Sequence, residues 1–140
     1  MRQDASQLFG DEHVRRYRET DGEIGHDWRG APILLLTTTG RRSGRERTHA
    51  LIYGRDGEDH LVVASKGGSD QPPAWYVNLK ANPEVDVQVL GERFRARARD
   101  ATAEEKPRMW AEMVGHWPAY AEYQKRTSRE IPVVVLERLD

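Results

Sequence analysis

One stretch, Thr37-Thr-Thr-Gly-Arg-Arg-Ser-Gly-Arg-Glu-Arg-Thr-His49, restricts the folding options of this chain more than any other. It is flanked by the apolar runs Ala31-Pro-Ile-Leu-Leu-Leu36 and Ala50-Leu-Ile-Tyr53. Two glycines and a serine between two apolar, β-prone segments predict a tight connection between antiparallel strands. The turn needs its glycines, but not Arg41, Arg42, Arg45 and Arg47, which face only Glu46 as local counter-charge. Over the whole chain 22 Lys and Arg are balanced by 23 Asp and Glu, a formal net charge of -1. The positive charge is therefore concentrated at one place, which argues against nucleic acid as a partner and for a small anionic ligand. A solvated loop tip that keeps a strand end soluble is the competing reading.

The length of 140 residues fits one domain with an ordinary core. The absence of cysteine excludes disulfides, thiol catalysis and zinc–thiolate sites. The start, Met1-Arg-Gln-Asp-Ala-Ser6, lacks the apolar core of a signal peptide, and no apolar run approaches the roughly 20 residues of a membrane helix. The expectation is a soluble, cytoplasmic protein with no integral membrane segment.

Residues 3–20 read as a polar surface helix with Leu8, Phe9, Val14 and Tyr17 as its apolar content. Strands are expected at 33–39, 48–53 and 60–65, joined by short connections as an antiparallel meander. Pro73 introduces a helix over 74–81, with Trp75 and Leu79 on one face, and Asn82-Pro83 stops it. Val85, Val87 and Val89 alternate with Asp86 and Gln88 as a half-exposed strand, paired as a hairpin with 94–98. Thr102-Ala-Glu-Glu105 is a capping box, opening a helix that turns Trp110, Met113 and Val114 inward. His116-Trp-Pro118 interrupts it before a helical piece with Tyr120, Tyr123 and Gln124, and 131–136 is a buried strand. The fold class is α+β: a split β-barrel of about six mainly antiparallel strands with flanking helices, since a small antiparallel sheet removes its edges by closing.

No residue set supplies a self-sufficient catalyst. His13, His26, His49, His60 and His116 lack metal-ligand spacing, so no metal site is expected. P-loop, Rossmann and nucleophile-elbow signatures are absent, which leaves the chemistry to a borrowed cofactor. Four stretches are candidate binding elements. The arginine turn offers planar, permanently charged forks for phosphate or carboxylate. Ala64-Ser-Lys-Gly-Gly68 is either a flexible connector or a strand end whose small residues let a flat ligand reach backbone N–H groups. Ala74 to Asn78 combines free N–H donors at a helix start with an aromatic pair; Trp75 is either a stacking wall or plain core. Tyr120 and Tyr123, three apart on one helical face, either line a pocket or pack together.

Together these stretches resemble the deazaflavin (coenzyme F420)-dependent nitroreductase and quinone reductase family of actinobacteria. The likeness spans about 25–138 and rests on Thr38 to Arg47, Val63 to Gly68, Pro73 to Pro83, Trp117 to Tyr123 and Arg129 to Val134. It implies a helical extension over 1–24 before a split-barrel, deazaflavin-binding domain over 25–140. The implied cofactor-binding residues are Arg41, Arg42 and Ser43 at the phosphate and polyglutamate tail, then Arg47, Thr48 and His49. Val63, Ala64, Ser65 and Lys66 would run past the ring, with Ala74, Trp75, Tyr76, Val77, Asn78 and Tyr123 beside it. Ser65, Tyr120 and Tyr123 are the implied catalytic and substrate-pocket residues. The resemblance implies hydride transfer from reduced F420 to a small-molecule electron acceptor: a quinone, nitroaromatic or activated enone. FMN as cofactor and a non-catalytic deazaflavin carrier are the alternatives. A monomer or weak dimer is expected. Some relatives use the N-terminal region for access to membrane quinone; here it is too polar to support that, although peripheral association remains compatible with a cytoplasmic protein.

Overall fold

A computed structural model describes residues 7–139. Helix α1 (Gly10–Thr20) is followed by β1 (Asp27–Trp28), β2 (Ala31–Thr39), β3 (Glu46–Ile52), β4 (Gly54–Asp56) and β5 (Asp59–Val63). Then come α2 (Ala74–Ala81), β6 (Glu84–Val89), β7 (Glu92–Asp100), α3 (Lys106–His116), α4 (Ala119–Lys125) and β8 (Val133–Leu139). Every ladder is antiparallel.

The sheet runs β1-β2-β6-β7-β8-β5-β4, with β3 also on β2. β3 and β4 are nearly one strand, broken at Tyr53. Its first half pairs with β2 (Leu35↔Ala50) and its second half with β5 (Arg55↔His60). That shared ribbon links the two ends of the sheet, so the strands close on themselves and the α+β split barrel expected from the sequence is the observed fold. The expected meander is present as well, through the short β4–β5 hairpin; along its other edge β5 pairs with β8, Val62 opposite Val134. The second strand also starts two residues earlier than expected, at Glu46, and the chain continues as β4 to Asp56 before turning at Gly57.

Three continuous apolar runs have a common explanation. A strand sends alternate side chains to opposite faces, so a strand without polar residues needs both faces covered. In β2, Leu34 and Leu36 point into the barrel core, while Ile33 and Leu35 lie under Val14 and Tyr17 of α1. In β5 and β8, Val62, Val134 and Leu136 are interior. Leu61, Val63, Val133 and Val135 pack outward against Met109 and Met113 of α3 and Tyr120 of α4. β6 and β7 have no such cover, and Val85, Val87, Phe94, Ala96 and Ala98 alternate with polar residues. Gln88 departs from that alternation: it is buried, with Nε2 donating to Leu90 O at 2.9 Å.

α1 begins at Gly10, later than the expected 3–20, and residues 3–6 lie outside the described residues. Phe9 precedes the helix and is 84% exposed, so it does not belong to the apolar stripe; His13 does, its Nε2 donating to Gly25 O at 2.8 Å. The capping box is formed: Glu105 N–H donates to Thr102 Oγ1 (3.2 Å) and Thr102 N–H to Glu105 Oε1 (2.9 Å). The Glu105 carboxyl, also gripped by Arg99, is held down at about 2.

Candidate cofactor site

The arginine turn is rigid. Gly40 N–H donates to Arg45 O at 2.8 Å, Gly44 N–H to Gly40 O at 3.0 Å, and Arg45 N–H to Ser43 Oγ at 3.1 Å. A Cβ on Gly40 would stand 2.5 Å from Ser43 Oγ, so a side chain there would displace the hydroxyl that accepts from Arg45 N–H. Arg41, Arg42, Arg45 and Arg47 are exposed, and none has a carboxylate partner among the described residues, whereas Arg15, Arg99 and Arg108 are all paired. Like charges held together without counter-ions favour an anion between them.

The start of α2 faces this turn. Asn78, buried on α2, accepts from the Arg41 N–H at 3.2 Å, and Asn82 Nδ2 reaches Thr39 O at 3.4 Å. No side chain caps the helix, so its first N–H groups remain available. Between turn and helix lies a groove of about 330 Å³ lined by Gly40, Arg41, Arg42, Ser43, Arg47, His49, Ala74 and Asn78. A second groove, about 460 Å³, continues past Arg47, Thr48 and His49 to α1, where Arg18 Nη2 donates to Thr48 Oγ1 at 2.7 Å. His49 Nδ1 is buried without a hydrogen-bond partner among the described residues, and burial pushes the ring's pKa down. The ring lines both grooves, although that nitrogen itself is closed off from solvent.

The remaining predicted residues fall into two sets. Val63, Ala64 and Ser65 are buried at the end of β5, and Lys66 is exposed just beyond. α4 presses on this loop: a Cβ on Gly68 (φ +85°) would come within 2.6 Å of Tyr123 O. Tyr120 and Tyr123 meet edge to face at 6.0 Å, and Trp117 Nε1 donates to Tyr123 Oη at 3.4 Å. Burial pushes the Tyr120 phenol pKa well up, so it stays protonated. The other set lies in α2. Trp75 is core, 5% exposed and packed with Leu34 and Leu36, which removes its side chain as a pocket wall. Tyr76 is half-buried and its hydroxyl donates to the Asp100 carboxylate at 2.9 Å, a tie between α2 and β7. Val77 is half-buried on the same helix.

Sequence reasoning missed Arg18 and Arg129. Arg18 lies within the stretch that reads as a polar surface helix. Arg129 Nε donates to Ser69 O at 2.7 Å and Nη2 to Ser65 O at 2.9 Å, and nothing in its spacing announces that reach.

Fold and site thus define a split barrel with a positively charged groove between the β2–β3 turn and the start of α2. The comparisons agree. The family described as F420H(2)-dependent quinone reductase matches residues 10–138, which takes in α1, and the chain belongs to that family of oxidoreductases. A Mycobacterium tuberculosis F420H(2)-dependent quinone reductase is 48% identical over 131 residues, 90% of this chain and 87% of its own. A solved F420-H2 dependent reductase is 43% identical with a TM-score of 0.71, covering 76% of this chain and 94% of its own. Another solved chain, described as a domain-swapped dimer, is 40% identical with a TM-score of 0.73 over 89% of this chain and 96% of its own. The cofactor of the family is coenzyme F420. Among the described residues no helix is long and apolar enough to cross a membrane.

Proposed function

We propose that this chain is an F420H2-dependent reductase that delivers a hydride to a quinone, with nitroaromatics and activated enones as further acceptors. The observation that carries this reading is the cluster of unpaired guanidiniums facing an uncapped helix start. Arg41, Arg42 and Ser43 grip the phosphate and polyglutamate tail, and Arg47, Thr48 and His49 extend the grip. Val63 to Lys66, the backbone of Ala74 to Asn78, and Tyr123 hold the ring. When bound, the reduced deazaflavin supplies the hydride; the protein supplies position and charge. Ser65, Tyr120 and Tyr123 carry hydroxyls on the acceptor side and can deliver the proton the product needs. The protein works in the cytoplasm as a monomer or weak dimer.

Steady-state oxidation of F420H2 with menadione tests the activity. Turnover is the expected result. Tight F420 binding with no turnover across quinones, nitroaromatics and enones makes the protein a carrier, and tight FMN binding with none of F420 makes it a flavin enzyme.

Arg42→Ala is expected to weaken F420 binding by about 1.5–3 kcal/mol, the range for a hydrogen bond to a charged group. The melting temperature should hold, because the turn tip is exposed. Titration followed by deazaflavin fluorescence reads the first quantity and a thermal melt the second. A lower melting temperature with unchanged affinity makes Arg42 structural.

A further inference from the structure

Arg129, between α4 and β8, spends its guanidinium on a single loop. Nε donates to Ser69 O (2.7 Å), and Nη2 to both Ala64 O (3.2 Å) and Ser65 O (2.9 Å). It has no carboxylate partner among the described residues. Its own backbone is fixed: Gln124 Nε2 donates to Arg129 O at 2.8 Å, and Arg129 N–H donates to Thr127 Oγ1 at 3.2 Å. Arg126 Nη1 takes Gly67 O at 3.3 Å, and Ser69 N–H takes Lys66 O at 3.1 Å. The carbonyls of residues 64–67 are therefore all engaged.

The N–H groups show the opposite. Ala64 N–H donates to Pro132 O at 3.1 Å, but no acceptor among the described residues takes the N–H of Ser65, Lys66 or Gly67. Ser65 is right-handed (φ −86°, ψ −40°), and Lys66, at φ +46°, is left-handed. A right-then-left pair gathers successive N–H groups into a concavity suited to an electron-rich atom. A peptide's C=O and the next N–H are antiparallel across one rigid plane. Drawing Ala64 O and Ser65 O toward Arg129 therefore aims the N–H groups of Ser65 and Lys66 away from it. A non-glycine residue at positive φ persists only where its surroundings enforce it, and Arg129 with Arg126 does so here.

We infer that Arg129 is a positioning residue: it holds the Ser65, Lys66 and Gly67 N–H groups as a donor cradle for a carbonyl edge of the cofactor ring. This rests on the deazaflavin reading above. A cyclic imide edge gains electron density when the ring system is reduced, and donors backed by a guanidinium stabilise the more electron-rich form more. The cradle therefore binds reduced cofactor in preference to oxidised.

The test measures the Kd of oxidised and of reduced F420 for the parent protein, Arg129→Gln and Arg129→Lys, with a melt of each. Arg129→Gln is expected to weaken the reduced form about tenfold more than the oxidised form, and Arg129→Lys to recover part of that preference. A general loosening of the loop would weaken both forms alike. An oxidised-to-reduced Kd ratio in Arg129→Gln equal to the parent's overturns the inference. Should Arg129→Gln not fold, an unchanged ratio in Arg129→Lys, which lacks the fork, overturns it equally. A parent protein that binds neither form of F420 instead overturns the deazaflavin reading, which keeps the two failures apart.

Discussion

Tyr17→Ala is expected to cost about 3–5 kcal/mol of stability, read from urea or thermal melts. The ring is fully buried, packed with Val14 against Ile33 and Leu35 on the outer face of β2. Its hydroxyl donates to Ile33 O at 3.0 Å and accepts from Leu90 N–H at 2.7 Å, tying α1 to the first long strand and to the β6–β7 turn together. Leu90 sits at φ +55°, so that turn depends on an outside tether to hold a conformation leucine disfavours. Tyr17→Phe separates the two contributions: it keeps the packing and strands the two backbone groups, at about 1–3 kcal/mol. If Tyr17→Ala melts within about 1 kcal/mol of the parent, well below the usual cost of truncating a buried aromatic, α1 is a dispensable extension of the barrel.

Acid is expected to weaken the fold through His60, by up to about 3 kcal/mol between pH 6.5 and 4. The ring is 6% exposed, lies 5.7 Å from Tyr53 and 5.2 Å from Phe94, and leaves Nδ1 buried with no partner among the described residues. Burial first, then the positive charges of Arg55 and Arg138, push its pKa down to about 4. The sign follows from proton counting. The folded ring stays neutral while the unfolded chain's histidine takes up a proton near 6.5, so the unfolded state gains as pH falls below that value. The loss is complete once the folded ring also titrates, near 4. His26 and His49 are shifted the same way by burial and add to it. His60→Phe should flatten the dependence of the melting temperature on pH across this window. A parent-like slope in the variant assigns the acid sensitivity elsewhere.

What the sequence discloses divides by range. The β2–β3 turn, the Pro73-led helix and the capping box at Thr102 are local, each specified by residues within a few positions, and each forms where expected. The double coverage of β2 could also be read from its unbroken apolar run. What covers it could not, because Val14 and Tyr17 reach Ile33 and Leu35 from a separate helix. The pairing of β5 with β8 was hidden for the same reason: Val62 lies opposite Val134 across more than half the chain, and nothing near residue 62 encodes that choice. At the site, surplus arginines were legible because charge without counter-charge stands out in a list of residues. Trp75 was not, since the spacing that puts it beside Leu79 suits a ligand wall as well as a core. Arg129 was least legible, for its partners are backbone carbonyls, which every residue has.

The position of β8 between β7 and β5 has a consequence for biosynthesis. It follows every other strand of the barrel along the chain. As the polypeptide leaves the ribosome, β5 and β7 are already available, each with an unsatisfied edge, and the slot between them stays open until 133–139 emerges. The growing chain therefore passes through a stage with the hydrogen-bonding edges of β5 and β7 open. In that interval a β8 from another nascent chain fits the slot as well as its own.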